Sequence, residues 1–223
     1  MKKVVIGFLC LLFVGCIATQ NTHSYSLEEH IKDYKEKQKY YPQIASLINL
    51  PIIDTICDIG GGNGISSSLL ATYLPPSTIF FEEDINENFL KKSMFKYTFK
   101  MYNSPANIEN FRFKLGTETS IPYATKSFNN ITVFNSIHEF TDKELMLTEI
   151  NRIMRDTGYL YLFENVCLDT IVKDENCGFD YLKESELDRL IDEANFNILK
   201  DTFFNKETEK DNCYTKFFIC RKK

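Results

Sequence analysis

Two patterns of apolar and polar residues alternate along most of the chain. Short apolar runs of strand length follow segments in which apolar residues recur every three or four positions, as they do on one face of a helix. The predicted strands are 51–59, 77–84, 111–116, 130–136 and 158–166, and the predicted helices are 65–74, 86–101, 142–155 and 184–196. Strands that alternate with helices predict a parallel sheet with helices on both faces.

Both ends of this pattern differ from its middle. The segment 26–50 has a helical period that Pro42 interrupts. At the other end, strands are predicted at 197–204 and 213–220 with no room for a helix between them, so we expect an antiparallel hairpin. The predicted fold is α/β, a Rossmann-like doubly wound sheet that is mostly parallel, with an antiparallel C-terminal hairpin. With 223 residues, 43% of them hydrophobic, we expect one domain over 25–223.

The first sixteen residues, MKKVVIGFLCLLFVGC, are arranged like a bacterial secretory signal. Two lysines precede an apolar run that is short for a transmembrane helix, and a small residue precedes Cys16. The ending resembles a lipoprotein signal with Phe13 where Leu is usual, so we expect a signal or lipoprotein-type segment over 1–16, lipid attachment at Cys16 and a polar tether over 17–24. The alternative is an uncleaved membrane anchor.

The net charge and the positions of the cysteines restrict the ligands, disulfides and metals that can be expected. A net charge of -5 provides no basic face for nucleic acid. Cys213 and Cys220 would lie ~23 Å apart on one strand, too far for a disulfide, and only Cys167 and Cys177 are expected to be able to close a loop. Because no cysteine pair has zinc spacing and the three histidines are scattered, the sequence predicts no metal site.

The segment CDIGGGNGISSSLL, 57–70, links the first predicted strand to its helix. Glycines at this turn allow a ligand to approach the backbone closely. The spacing fits neither the G-x-G-x-x-G of a dinucleotide site, which disfavours a nicotinamide oxidoreductase, nor a phosphate-binding loop. The sequence has Asp58-x-Gly60-x-Gly62-x-Gly64 instead.

This pattern resembles the first motif of class I S-adenosylmethionine-dependent methyltransferases, and the resemblance extends over roughly 30–222. FFEEDINENFL is similar to the end of the family's second strand, with Asp84 at the ribose-binding position, and 116–164 resembles a region of the type 11 methyltransferases. Glu82 or Glu83 could replace Asp84 as the ribose partner, and Asp84 could instead cap the following helix.

The resemblance implies S-adenosylmethionine as cofactor. The implied cofactor-binding residues are Asp58, Gly60, Gly61, Gly62, Gly64, Asp84, Thr117, Glu118 and Asn135. Thr117 replaces an aspartate that binds adenine in the family, so adenine recognition could pass to Glu118 or to the backbone. His138 and Glu139, directly after the fourth strand, are the candidates for a catalytic base.

The implied function is methyl transfer to a small-molecule or lipid-like acceptor. The fourth strand is not followed by the Asn/Asp-Pro-Pro-Tyr/Phe pattern of enzymes that methylate nucleic-acid amines. S-adenosylmethionine is made in the cytosol, so an active domain would face the cytoplasm from the membrane. The alternative is a membrane-anchored or exported binding protein with this fold and no catalysis. Tyr40, Tyr41 and Tyr123 could line a substrate pocket, although packing is the default for aromatic residues.

Overall fold

The computed structural model describes residues 34–35, 38–48, 55–174, 177–208 and 212–223, with only the backbone for 205–208. The expected signal segment and tether, 1–24, lie outside these residues. The helices and strands are α1 (Tyr41–Leu47), β1 (Thr55–Ile59), α2 (Ile65–Tyr73), β2 (Ile79–Asp84), α3 (Lys92–Met101), β3 (Phe111–Leu115), β4 (Phe128–Phe134), α4 (Lys143–Ile153), β5 (Met154–Cys167), β6 (Leu182–Lys183), α5 (Glu184–Glu193), β7 (Phe196–Thr208) and β8 (Cys213–Lys222).

The described strands form one sheet in the order β3-β2-β1-β4-β5-β8-β7, with β6 paired to the end of β5. Strands β1 to β6 pair in parallel, whereas β8 is antiparallel to both β5 and β7. The predicted doubly wound fold with an antiparallel C-terminal hairpin is confirmed. The order reverses between β1 and β4, where sheets of this kind bind ligands.

Successive residues of the central strands are buried on opposite faces, which is why these strands read as continuous apolar runs. In β1, Ile56 packs with residues of α1, α2 and α3, whereas Cys57 packs with residues of α4 and α5. Cys57 is therefore a buried small hydrophobe, as expected. Within the described residues, no helix combines the length and apolar character needed to cross a membrane.

Side-chain hydrogen bonds and backbone torsions shift some helix ends from their predicted positions. Helix α3 begins at Lys92 rather than at 86, because the amide N–H groups of Asn86 and Asn88 bond to the side chains of Asp84 and Asn86 in a turn. Asn195 has a φ of 65°, and this left-handed residue ends α5 immediately before β7. Pro42 lies in the first turn of α1, where its missing N–H costs nothing.

The expectation that Cys167 and Cys177 were the pair able to close a loop is wrong. Cys167 forms a disulfide with Cys213, and their Cα atoms are 4.0 Å apart. The two residues are directly opposite in the antiparallel β5–β8 register, which sequence spacing alone does not reveal. Cys57 and Cys220 carry free, buried thiols, whereas the Cys177 sulfur lies 3.4 Å from His138 Nε2.

We predict that Cys213→Ser lowers the free energy of unfolding by about 2–4 kcal/mol in non-reducing urea titrations. Without the disulfide, the unfolded chain gains conformational entropy, which favours unfolding. Cys220→Ser, the same change at a buried free thiol of β8, is the control and should cost less. A peptide map showing Cys167 linked to Cys177 would contradict the assignment.

Candidate functional site

The glycine-rich loop begins where β1 ends, at the reversal of strand order. It is anchored on both sides, since the Gly61 N–H donates to the Glu83 carbonyl oxygen of β2 (3.0 Å) and the Ser136 hydroxyl donates to the Gly60 carbonyl oxygen from beyond β4 (3.0 Å). The loop therefore has a fixed position at the carboxyl ends of three central strands.

Three glycines of this loop, Gly60, Gly62 and Gly64, have positive φ, and the surroundings of Gly64 and Gly62 differ. Gly64 has a φ of 77°, and a Cβ there would lie 2.2 Å from the Phe95 ring, so α2 and α3 pack closely only because Gly64 lacks a side chain. Gly62 has a φ of 54°, yet a Cβ there would meet no atom within 4 Å. Packing therefore explains Gly64, whereas Gly62 borders open space.

Asp84, at the end of β2, holds the loop. Its Oδ2 accepts a hydrogen bond from the Gly62 N–H (2.9 Å) and its Oδ1 accepts one from the Asn86 N–H (2.8 Å). Helix α3 starts eight residues later, so Asp84 caps a turn and not a helix. The Ile85 N–H also favours the charged form of Asp84, and the carboxylate's remaining acceptor capacity can bind a ligand hydroxyl.

Two buried carboxyl groups lie below the loop. Asp58 and Glu82 are opposite each other in the β1–β2 register and are 2% and 0% exposed. The Thr132 hydroxyl donates to Asp58 Oδ1 (2.6 Å), whereas Glu82 has no comparably well-formed hydrogen bond and only the nearby Ser67 hydroxyl favours its charged form. A Cβ on Gly61 would lie 2.5 Å from Glu82 Oε2 and 3.4 Å from Asp58 Oδ2, so both carboxyls reach the underside of the loop.

Burial dominates the electrostatics of these acids. It raises the pKa of Asp58 to about 7, with the Thr132 hydrogen bond opposing the shift and the charge of Asp84 adding to it. Burial and the charge of Asp58 raise the pKa of Glu82 well above its usual value. At neutral pH the pair therefore retains at least one proton, and a bound cation would release it.

The residues expected to bind adenine lie at the end of β3. Thr117 and Glu118 are exposed, and the Thr117 N–H donates to the Ser120 carbonyl oxygen (3.1 Å) in a tight turn. Next to them, the Glu83 carboxyl is buried against Gly116, and burial and the charge of Asp84 raise the pKa of Glu83 to about 8. Glu82, Glu83 and Asp84 are all buried, and Asp84, at 8% exposure, is the least buried of the three.

Asn135 follows β4 and also belongs to this rim. It has a φ of 51°, its N–H donates to the Phe163 carbonyl oxygen (2.7 Å), and its side-chain Oδ1 is buried with no partner among the described residues. The structure brings Asp58, the glycines, Asp84 and Asn135 to one rim of the sheet, with Thr117 and Glu118 at its outer edge.

His138 and Glu139 lie in a short 3-10 turn, Ile137–Glu139, just beyond this rim. His138 is buried, with Nδ1 2.8 Å from Glu164 Oε1 and Nε2 3.4 Å from Cys177 Sγ. Burial lowers the pKa of His138, but the charge of Glu164 and the bonds to Cys177 and Glu164 outweigh it and raise the pKa to about 11. The Glu139 side chain is 26% exposed, so it is the more accessible of the two candidate bases.

Comparison with known sequences matches a family to the segment that contains this site. The sequence profile of a family described as "Methyltransferase domain" matches residues 54–218. The chain belongs to the methyltransferase domain family.

Two curated relatives match parts of this methyltransferase domain. The uncharacterized methyltransferase YcgJ of Bacillus subtilis (strain 168) is 26% identical over 120 residues, covering 54% of this chain and 44% of YcgJ. The ubiquinone/menaquinone biosynthesis C-methyltransferase UbiE of Teredinibacter turnerae is 24% identical over 146 residues, covering 66% and 51%. The chain spans about half the length of these relatives.

Solved structures share the fold of the domain at low identity. The [4+2]-cyclase SpnF superposes with a TM-score of 0.67 and 13% identity, over 83% of this chain and 81% of its own. A SAM-dependent methyltransferase from Aquifex aeolicus superposes with a TM-score of 0.65 and 14% identity, over 88% of this chain and 98% of its own. At such identities the likeness shows the architecture alone.

Part of the candidate site has little or no signal in the sequence. The sequence suggests Glu82 only as a substitute for Asp84, and it gives no reason to place Glu164, Asp174 and Cys177 beside His138. A polar residue inside a strand such as TIFFEED is a usable signal for Glu82. The residues around His138 come from separate elements, so spacing gives no signal. Tyr41 and Tyr123 lie in aromatic packing with Phe134 and with Phe128, and Tyr40 stacks edge-on with Phe204.

We predict that the free energy of unfolding of the ligand-free domain falls as pH rises from about 5 to 9. Asp58 and Glu83 have folded pKa values of about 7 and about 8, above their unfolded values. The folded state therefore holds protons that the unfolded chain has already lost, and that stability disappears as each group ionises. Glu82→Gln should flatten the fall and raise stability at pH 8 by about 1–3 kcal/mol, measured by urea unfolding. Exposed Glu118→Gln is the control, and parallel wild-type and Glu82→Gln curves would contradict the prediction.

Proposed function

We propose that the chain is an S-adenosylmethionine-dependent methyltransferase that acts on a small-molecule or lipid-like acceptor. The main observation in support of the proposal is the conformation of the loop at Gly62. Asp84 accepts a hydrogen bond from the Gly62 N–H, and the space next to Gly62 is open. A ligand can therefore approach the main chain at Gly62 within contact distance, while the neighbouring glycines pack against protein atoms.

Charge complementarity supports the cofactor. S-adenosylmethionine carries a sulfonium and an ammonium group and supplies an electrophilic methyl group when bound. The buried Asp58 and Glu82 carboxyls lie beneath the loop with unused acceptor capacity, and a cation above them would offset their cost of burial. Asp84 retains acceptor positions for ribose hydroxyls, and the exposed Thr117–Glu118 turn is placed to meet the adenine.

The chain's part in the reaction is chiefly alignment. Holding an acceptor in line with the sulfur-to-methyl bond supplies much of the acceleration, and a base is needed only when the acceptor must lose a proton early. Glu139 is the accessible candidate for that role, while His138 is buried between Glu164 and Cys177. UbiE is named for C-methylation in quinone biosynthesis, which favours a lipid-like acceptor for this chain as well.

We further propose attachment to a membrane through the N-terminal segment, with lipid on Cys16. Two observations point to different sides of that membrane. The Cys167–Cys213 disulfide favours an oxidising compartment, whereas a methyl donor made in the cytosol favours a domain that faces the cytoplasm. Alkylating the protein at cell lysis preserves the redox state of these two cysteines. A disulfide would indicate the oxidising side of the membrane, and two alkylated thiols would indicate the cytoplasmic side.

We predict that Gly62→Ala weakens S-adenosylmethionine binding at least roughly tenfold, equivalent to about 1.4 kcal/mol, in calorimetric titrations. The added Cβ enters the open space where the ligand approaches. Gly178→Ala is the matched control, because Gly178 also has positive φ with no atom within 4 Å of its Cβ position but lies in another loop. Both variants should lose a similar stability, about 1–2 kcal/mol, from backbone strain. Equal affinity in the two variants, or tighter binding of NAD than of S-adenosylmethionine and S-adenosylhomocysteine, would contradict the assignment.

We predict that mass spectrometry of the mature chain finds Cys16 at the N-terminus with lipid attached, and that Cys16→Ser abolishes the modification. Stable anchoring requires more than one hydrocarbon chain, and a lipidated, acylated cysteine provides them. A chain that still begins at Met1 without lipid would replace this proposal with the uncleaved anchor.

A further inference from the structure

Three side chains of metal-binding type meet beyond the ends of β4 and β5. A ring nitrogen of His138, a carboxylate oxygen of Asp174 and the sulfur of Cys177 all lie within 4.8 Å of one another. His138 comes from the turn after β4, whereas Asp174 and Cys177 come from the loop between β5 and β6. Two hydrogen bonds shape that loop, from the Asp174 N–H to Phe179 O (2.8 Å) and from the Gly178 N–H to Asp174 O (2.7 Å).

The spacing suits a small tetrahedral ion. Zinc bonds of ordinary length at tetrahedral angles place a histidine nitrogen about 3.5 Å from a thiolate sulfur. His138 Nε2 and Cys177 Sγ are 3.4 Å apart before any ion enters. Nitrogen, sulfur and carboxylate together select zinc over magnesium or calcium, which prefer oxygen ligands alone.

Glu164 supplies the support that a histidine ligand needs. Its Oε1 lies 2.8 Å from His138 Nδ1, and the carboxylate is itself fixed by the N–H groups of Ile137 (3.0 Å) and Asn165 (3.1 Å). A carboxylate on one ring nitrogen holds the imidazole so that the other nitrogen faces the metal. Here the other nitrogen, Nε2, is the one that faces Cys177.

We propose that His138, Asp174 and Cys177 bind one zinc ion, with Glu164 as the positioning residue for His138. Three protein ligands leave a fourth position for water or a substrate atom, as in catalytic rather than structural zinc sites. Zinc replaces the proton held between His138 and Cys177, so binding releases protons to solvent.

The use of this zinc rests on the proposed methyltransferase function. An acceptor hydroxyl or thiol in the fourth position would have its pKa lowered by the ion and lose its proton to solvent, leaving the oxygen or sulfur as the nucleophile. The site therefore favours an acceptor that bears an ionisable O–H or S–H group, on the same rim of the sheet as the glycine loop.

The test is metal binding by the purified full-length protein, without methyl donor or acceptor. After treatment with chelator, wild type should take up one zinc per chain, and cobalt should give a sulfur-to-cobalt charge-transfer band. Cys177→Ser should abolish that band, and Cys177→Ser and Asp174→Asn should each weaken zinc binding at least roughly tenfold. The matched controls are Cys220→Ser, at a buried thiol of β8, and Asp180→Asn, at an exposed acid of the same loop. Glu164→Gln should weaken binding about 10- to 100-fold.

Each other outcome has a defined meaning. Zinc uptake that Cys177→Ser and Asp174→Asn leave unchanged would overturn the site. Wild-type protein that binds no zinc, and whose Cys177 reacts with iodoacetamide equally fast with and without zinc, would show a metal-free thiol–imidazole pair and also overturn it. Zinc binding without S-adenosylmethionine binding would overturn the proposed function and leave the zinc site intact. Methyl transfer by metal-free protein would overturn the proposed role of zinc in the reaction and leave the methyltransferase function intact.

Discussion

The position of the candidate site depends on the parallel pairing of β1 with β2 on one side and β4 on the other. This register brings Asp58 opposite both Glu82 and Thr132, and it ends the three strands at one rim. The glycine loop, the Asp84 carboxylate and the Asn135 turn then occupy neighbouring positions without any long-range adjustment. A shift of one residue in either pairing would turn the carboxyls to the other face and leave the loop without its anchors.

Buried acids at this rim have an energetic cost that the ligand-free fold carries. Parallel sheets are covered by helices on both faces, so a carboxyl at the end of a central strand loses its hydrating water. This burial is unfavourable unless a ligand or the loop supplies replacement hydrogen bonds. The Gly62 N–H donates to Asp84 and the Thr132 hydroxyl donates to Asp58, whereas the Ser67 hydroxyl only partly offsets the burial of Glu82. The cost is concentrated at the place where a cationic ligand would act, as is common for functional sites.

The sequence predicted the architecture well because local signals carried it. Apolar runs located the central strands, and the glycine spacing located the loop. What it missed depends on contacts between distant segments. The Cys167–Cys213 pair requires knowing that β8 lies beside β5, and the Cys177–His138 contact requires the path of the loop after β5. The late start of α3 reflects side-chain bonds of Asp84 and Asn86 to the backbone, which compete with helix formation. The [4+2]-cyclase SpnF shares this fold, so architecture alone does not determine the reaction.

Of the described strands, the one latest in sequence is an interior strand of the sheet, and this orders events during synthesis. β8 lies between β5 and β7, so both neighbours expose unpaired edges until residues 213–222 leave the ribosome. The crosslink between β5 and β8 cannot form before that moment. A nascent chain that has not yet released β8 therefore presents the β5 edge to other proteins, including chaperones.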